Sequence, residues 1–147
     1  MTHLEQLASV SRCLGEDIYL VQGPGGNTSV KNGNRLWVKS SGVLLKDVSP
    51  ERGFSEVVLD RCVSLLPNPQ SRVPNVEEES RYAASIQESA VDPRGPRASM
   101  ELGFHAGIPS KWVLHVHSLA GIILGVISNT PMASRLFKPI LQSGFTM

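Results

Sequence analysis

The stretch Trp112-Val-Leu-His-Val-His-Ser118 limits what this chain can fold into more than any other. Trp, Val and Leu in a short run between Lys111 and Ser118 predict a strand, on which alternate side chains share a face. His115 and His117 then point the same way. Two residues of strand rise set their Cβ atoms about 6–7 Å apart, close enough for both rings to meet one ion at roughly 2.0–2.1 Å per Zn–N bond. Trp112, Leu114 and Val116 fall on the other face and are expected to be core. Two histidines on a half-buried strand can also be no more than polar residues near a sheet edge, so the neighbouring sequence decides.

That neighbour is Ser99-Met-Glu-Leu-Gly-Phe-His105. Its spacing predicts a short helix capped by Ser99, with Glu101 in the first turn and Gly107 and Pro109 ending it. Glu101 and His105, four apart, share a face. As a helix-dipole partner alone, Glu101 would contribute about 0.3–1 kcal/mol. Delivered just before a strand with two metal-type histidines, it fits metal-assisted proton abstraction: the cation stabilises a developing oxyanion while the carboxylate moves the proton.

The 147 residues, 41% hydrophobic and 18% charged, have one domain's length and enough apolar material for a core. A net charge of +1 on scattered basic residues leaves no footprint for nucleic acid or an anionic membrane. Cys13 and Cys62 match neither a disulfide framework nor a Cys-x-x-Cys knuckle, so a reducing, cytoplasmic setting is expected. The N-terminus lacks a signal pattern, and the longest apolar run, 119–127, is far short of the ~20 residues of a membrane span.

From the N-terminus, Thr2-x-x-Glu5 has capping-box spacing, and Leu4, Leu7, Ala8, Ser11 and Leu14 predict an amphipathic helix over 3–14, ended by Gly15. Gln22-Gly-Pro-Gly-Gly-Asn-Thr-Ser29 leaves backbone N–H groups free and admits positive φ, the makings of an anion-binding nest. Residues 28–31 and 35–39 flank Asn32-Gly-Asn34 and predict a hairpin. Antiparallel pairing brings the Gly26-Asn27 end beside Ser40-Ser41-Gly42, where amide, hydroxyl and N–H groups suit a phosphate. No fixed phosphate motif is present, and both segments also read as plain turns.

Residues 43–47 and 56–60 read as another strand pair, 66–74 as a surface loop, and Asn75-x-x-Glu78 as the start of a helix with Val76, Ala83, Ile86 and Ala90 as its apolar stripe. Glu77, Glu78 and Glu79 are a solvated first turn rather than catalytic groups. Ser118 caps a helix over 119–127 that is apolar nearly all round and expected to be buried. From Asn129 on, the chain is broken by Pro and Ser.

Taken together, Gly25-Gly-Asn-Thr-Ser29, Trp37-Val-Lys-Ser-Ser-Gly42, Arg97-Ala-Ser-Met-Glu101 with His105, and Val113-Leu-His-Val-His-Ser118 resemble, in order, the class II aldolase/adducin family. The resemblance spans nearly the whole chain but only about the N-terminal two thirds of the family domain. It implies one domain over 1–147, incomplete at its C-terminus, with a three-layer α/β/α fold around a central, largely antiparallel sheet. It also implies a homo-oligomeric, tetrameric enzyme that cleaves a ketose phosphate through an enediolate stabilised by zinc or another divalent ion. By position, His115 and His117 would be metal ligands and Glu101 the acid/base; Gly26, Asn27, Ser41, Gly42 and Ser99 would line the phosphate site. A dehydratase or epimerase of the same superfamily, a non-catalytic adducin-like module and an inactive partial gene product are the alternatives. The chain departs from the pattern twice. Met100 stands where sugar-phosphate aldolases place a second phosphate-binding serine, and no histidine follows His117 to serve as the family's third ligand. Weak zinc binding and little turnover are therefore expected of the chain alone.

Overall fold

The structure, a computed structural model, describes residues 1–66, 76–92 and 94–127, with the side chains of Val76, Glu78, Glu79, Ala83 and Ile86 left aside. The expected loop over 67–74, the Asn75 cap, most of that helix's apolar stripe and the Pro/Ser-broken stretch from Asn129 lie outside the described residues.

Among the described residues four strands, β1 (Asn27–Asn32), β2 (Arg35–Lys39), β3 (Phe54–Val58) and β4 (Trp112–His115), form one antiparallel sheet in the order β3-β2-β1-β4. The hairpin pairs β1 with β2, Val30 opposite Trp37. Gly33 takes φ +56° in the turn, as Asn-Gly sequences allow. β3 flanks β2, and β4 adds to the free side of β1 with Asn27 opposite His115.

Helix α1 (His3–Glu16) starts on the expected capping box, Thr2 and Glu5 exchanging bonds of 3.2 and 2.6 Å. It runs one residue past Gly15. A Cβ on Gly15 would lie 2.8 Å from the Leu45 carbonyl carbon, so this glycine permits a close crossing instead of stopping the helix. The crossing partner is a 3-10 turn, Leu45–Asp47, where a strand was expected. Gly42, at φ +77°, turns the chain out of the sheet after β2, and Leu45 is buried instead.

Ser11 of α1 bonds to Thr28 at 2.7 Å, whereas Ser29 bonds to His105 of α4 (Leu102–Gly107) at 2.7 Å. Adjacent strand residues face opposite ways, so α1 and α4 meet opposite faces of the sheet. On the α4 face Leu36, Val38, Val57, Cys62, Ala98, Leu102 and Ala106 form the core, joined by Leu59 of α2 (Leu59–Ser64) and Tyr82 of α3 (Val76–Gln87). Glu77 is exposed and lies 3.5 Å from Arg81, as a solvated first turn should be.

Two expectations about β4 and the helix that follows it need correction. The face of β4 with Trp112, Leu114 and Val116 is not core: Leu114 is 47% exposed, and Val113, on the histidine face, is the buried residue. Among the described residues β4 is an edge strand, and on that face Trp112 meets α1, its ring edge-on to His3 at 6.3 Å. Helix α5 (Leu119–Ile127), started by the expected Ser118 cap (3.1 Å to Gly121 N), buries none of its residues. Apolar side chains are buried only where other elements cover them on enough sides, and the described elements do not do that for any residue of α5.

Candidate metal and acid/base site

The sheet register assembles the site. Ser29 opposite Val38 and Asn27 opposite His115 bring the N-terminal end of β1, the C-terminal end of β2 and the end of β4 to one edge. Arg97 to Ser99 extend that edge: Ser41 N donates to Arg97 O (2.8 Å) and Ser99 N to Lys39 O (3.2 Å). Ser99 does not cap α4 directly. Its Oγ accepts from Glu101 N at 3.3 Å and its carbonyl from Leu102 N at 3.0 Å, a turn that leaves Glu101 at the N-cap position, half-exposed.

Glu101 Oε1 lies 2.9 Å from His115 Nδ1. The two are not aligned for a hydrogen bond, and His115 Nδ1 is buried with no such partner. His117 lies just past the end of β4, yet its ring stays on the same side, 4.8 Å from that of His115 between centroids and tilted by 57°. The pairing of the two imidazoles that alternation predicts therefore survives the early end of the strand.

The glycine-rich segment wraps this end of β4. A Cβ on Gly25 would sit 2.9 Å from His117 Nδ1; one on Gly26, at φ +75°, would meet Leu45, Val21 and the His115 carbonyl at 2.9 to 3.2 Å. Asn27 follows, fully buried, with neither amide atom hydrogen-bonded. A buried amide left unpaired costs roughly 1–3 kcal/mol per group. Ser41 and Gly42 are exposed, Ser99 is half-buried, and the space around the Gly42 α-carbon is open.

Three further groups belong to the site. His105, expected to share a helix face with Glu101, is fully buried, its Nδ1 on Ser29 Oγ at 2.7 Å and its Nε2 4.0 Å from Glu101 Oε2. Burial is the main cause that pushes its pKa from 6.5 down to about 4, opposed by Glu101 and helped by His115 and Lys31. Ser29 went unrecognised, although it alternates with Asn27 and so shares its face. Lys39 is buried, donating to the carbonyls of Val43 (2.7 Å) and Ser40 (3.3 Å); desolvation lowers its pKa, and the charge of Glu101 partly restores it.

A model of the class II aldolase and adducin N-terminal domain matches residues 5–145. The chain belongs to this family. It is similar to the N-terminal class II aldolase domain of a conserved protein from Thermoplasma acidophilum, with 30% identity and a TM-score of 0.72, over 95% of this chain and 65% of that one. It is 29% identical to YuxG of Bacillus subtilis (strain 168), named as an uncharacterized oxidoreductase, over 98% of this chain and 22% of that protein. The chain thus spans about two thirds of the solved relative and about a fifth of YuxG. Family membership agrees with the α/β architecture and with a candidate metal-binding group around Glu101 and His115. Among the described residues no helix is long and apolar enough to cross a membrane.

Proposed function

We propose that this aldolase-family chain carries the metal and acid/base half of a site for reversible aldol cleavage of a ketose phosphate. The supporting observation is the contact of Glu101 Oε1 with His115 Nδ1 at 2.9 Å, with the His117 ring 4.8 Å from that of His115 between centroids. His115 and His117 would hold a divalent ion such as zinc, and the buried Nδ1 of His115, which makes no hydrogen bond, fits that role. When bound, the ion supplies electrophilic stabilisation of the enediolate.

Glu101 takes up and returns the proton. It is half-exposed, so substrate reaches it, and no side chain forms a full hydrogen bond to its carboxylate among the described residues. Gly26, Asn27, Ser41, Gly42 and Ser99 bind the phosphate end. Ser41 and Ser99 offer hydroxyls, while the unpaired Asn27 amide, fully buried in the free chain, reaches the phosphate only when the site opens around it. Met100, 85% exposed beside Glu101, gives this rim an apolar border in place of a second serine. The reading carries with it a cytoplasmic homo-oligomer with the family's three-layer α/β/α arrangement.

The test is cleavage of a panel of ketose 1-phosphates by the chain loaded with zinc, compared with Glu101→Gln. Slow turnover, in keeping with only two histidine ligands, is expected with one or more of them, falling by about 10²–10⁴-fold, down to background, in the variant. A variant as active as the parent removes Glu101 from the mechanism. No turnover by the parent, even with zinc bound, defeats the aldolase reading.

A further inference from the structure

Resting on that reading of Glu101, we infer that His105 is a positioning residue: held in one tautomer by Ser29, it offers a fixed Nε2–H to Glu101 Oε2 and does not ligate the metal. Glu101, His105 and His115 present donor atoms all within 4.8 Å of one another, so ligation by His105 is the obvious alternative. The protons decide between them. Ser29 is fully buried, and among the described residues its hydroxyl bonds only to His105 Nδ1, at 2.7 Å.

If Nδ1 carried the proton, the Ser29 hydroxyl hydrogen would have no acceptor. Nε2 would then be a bare lone pair facing a carboxylate 4.0 Å away. With the hydroxyl donating to Nδ1, the proton sits on Nε2 and faces that carboxylate, and both mismatches disappear. A neutral imidazole with Nε2 protonated and Nδ1 occupied by a hydroxyl has no lone pair left for an ion.

The geometry also shows why Glu101 needs the second contact. Its close neighbour is His115 Nδ1, and a metal held by His115 takes that nitrogen's lone pair away. The Nε2–H of His105 is then an unpaired buried donor within 4.0 Å of the carboxylate. That separation is longer than a hydrogen bond, and acid/base contacts commonly tighten only when the site is filled. Glu101 makes the move, because His105 is buried and tied to β1 whereas the carboxylate is half-exposed.

The deciding measurement is nitrogen NMR of the full 147-residue chain labelled at histidine, before and after addition of Zn(II) alone. The expected result is a one-bond N–H coupling at His105 Nε2 and none at Nδ1, unchanged by zinc, while the nitrogens of His115 and His117 shift. A proton on Nδ1, or loss of the Nε2 proton when zinc is added, overturns the inference. Zinc that leaves His115 and His117 unmoved while His105 stays protonated on Nε2 defeats the metal reading and leaves the tautomer standing.

In the cleavage assay, His105→Gln keeps an N–H in the same place and should stay within about threefold of the parent. His105→Phe should lower kcat by about tenfold or more with KM little changed. Equal losses in the two variants, or a loss confined to KM, would show that His105 does not act through Glu101.

Discussion

Gly25 and Gly26 are consecutive and small for different reasons, which makes them a matched pair of probes. At Gly26 the backbone is left-handed and a Cβ would strike Leu45 at 2.9 Å, Val21 at 3.0 Å and the His115 carbonyl at 3.2 Å. Gly26→Ala therefore strains backbone and core together and should cost about 1–3 kcal/mol, read as a lower urea midpoint. At Gly25 φ is not left-handed and the first obstacle is the ring nitrogen of exposed His117, at 2.9 Å. That ring can swing away, and the Gln22 carbonyl oxygen, 3.0 Å off, has to give by only a few tenths of an ångström, so Gly25→Ala should lower the midpoint less than Gly26→Ala does. Its effect belongs to the metal: calorimetry should show zinc affinity falling by about tenfold, since His117 no longer sits beside His115. Equal zinc affinity in the two proteins would mean that His117 is not a ligand.

Among the elements, α4 carries both Glu101 and His105, and two unrelated interactions hold it. On one side Leu102 and Ala106 enter the core; on the other the Lys31 amine donates to the carbonyls of His105 (2.7 Å), Ser110 (3.1 Å) and Ile108. A cation on the last carbonyls of a helix meets both the unsatisfied acceptors and the negative end of the dipole. Lys31→Met should thus lower stability by about 2–3 kcal/mol and Leu102→Ala by about 2–5 kcal/mol. Chemical denaturation reads both, and a loss under 0.5 kcal/mol for Lys31→Met would reduce its contacts to surface decoration. Little of this clamp could be read from the sequence. Periodicity predicts α1, the hairpin and the shared side of His115 and His117, because those depend on residues close in the chain. Lys31 meeting carbonyls at 105 to 110, and Ser29 setting the tautomer of His105, depend on pairings more than 70 residues long. The 3-10 turn at Leu45–Asp47 was missed for a related reason: its apolar residues look strand-like, and only burial against α1 separates the two. The family motifs point to Glu101, His115 and His117 as candidates without any of these partners. What they did not convey is that His105 lies at 0% exposure beneath them.

For the whole molecule, the buried site makes stability depend on pH. Its fold holds an imidazole where a charged ring is poorly tolerated, so the His105 pKa is about 4 in the folded chain against an ordinary 6.5. Between those values the unfolded chain binds a proton at this position that the folded chain refuses. Acid therefore favours unfolding. The contribution is fully present above pH 6.5, declines as pH falls towards 4, and is flat below that. At about 1.4 kcal/mol per pH unit the window corresponds to roughly 3 kcal/mol, an upper figure because carboxylates titrate at its acid end. The measurement is a series of urea midpoints from pH 7.5 to 4 with a chelator present, since a bound metal competes with protons for His115 and His117. The parent should lose stability steadily through the window. His105→Gln, which keeps an acceptor for Ser29 and a donor for Glu101 but cannot take a proton, should lose much less. Parallel profiles would show that the acid sensitivity arises elsewhere and that the cavity around His105 tolerates the charged ring.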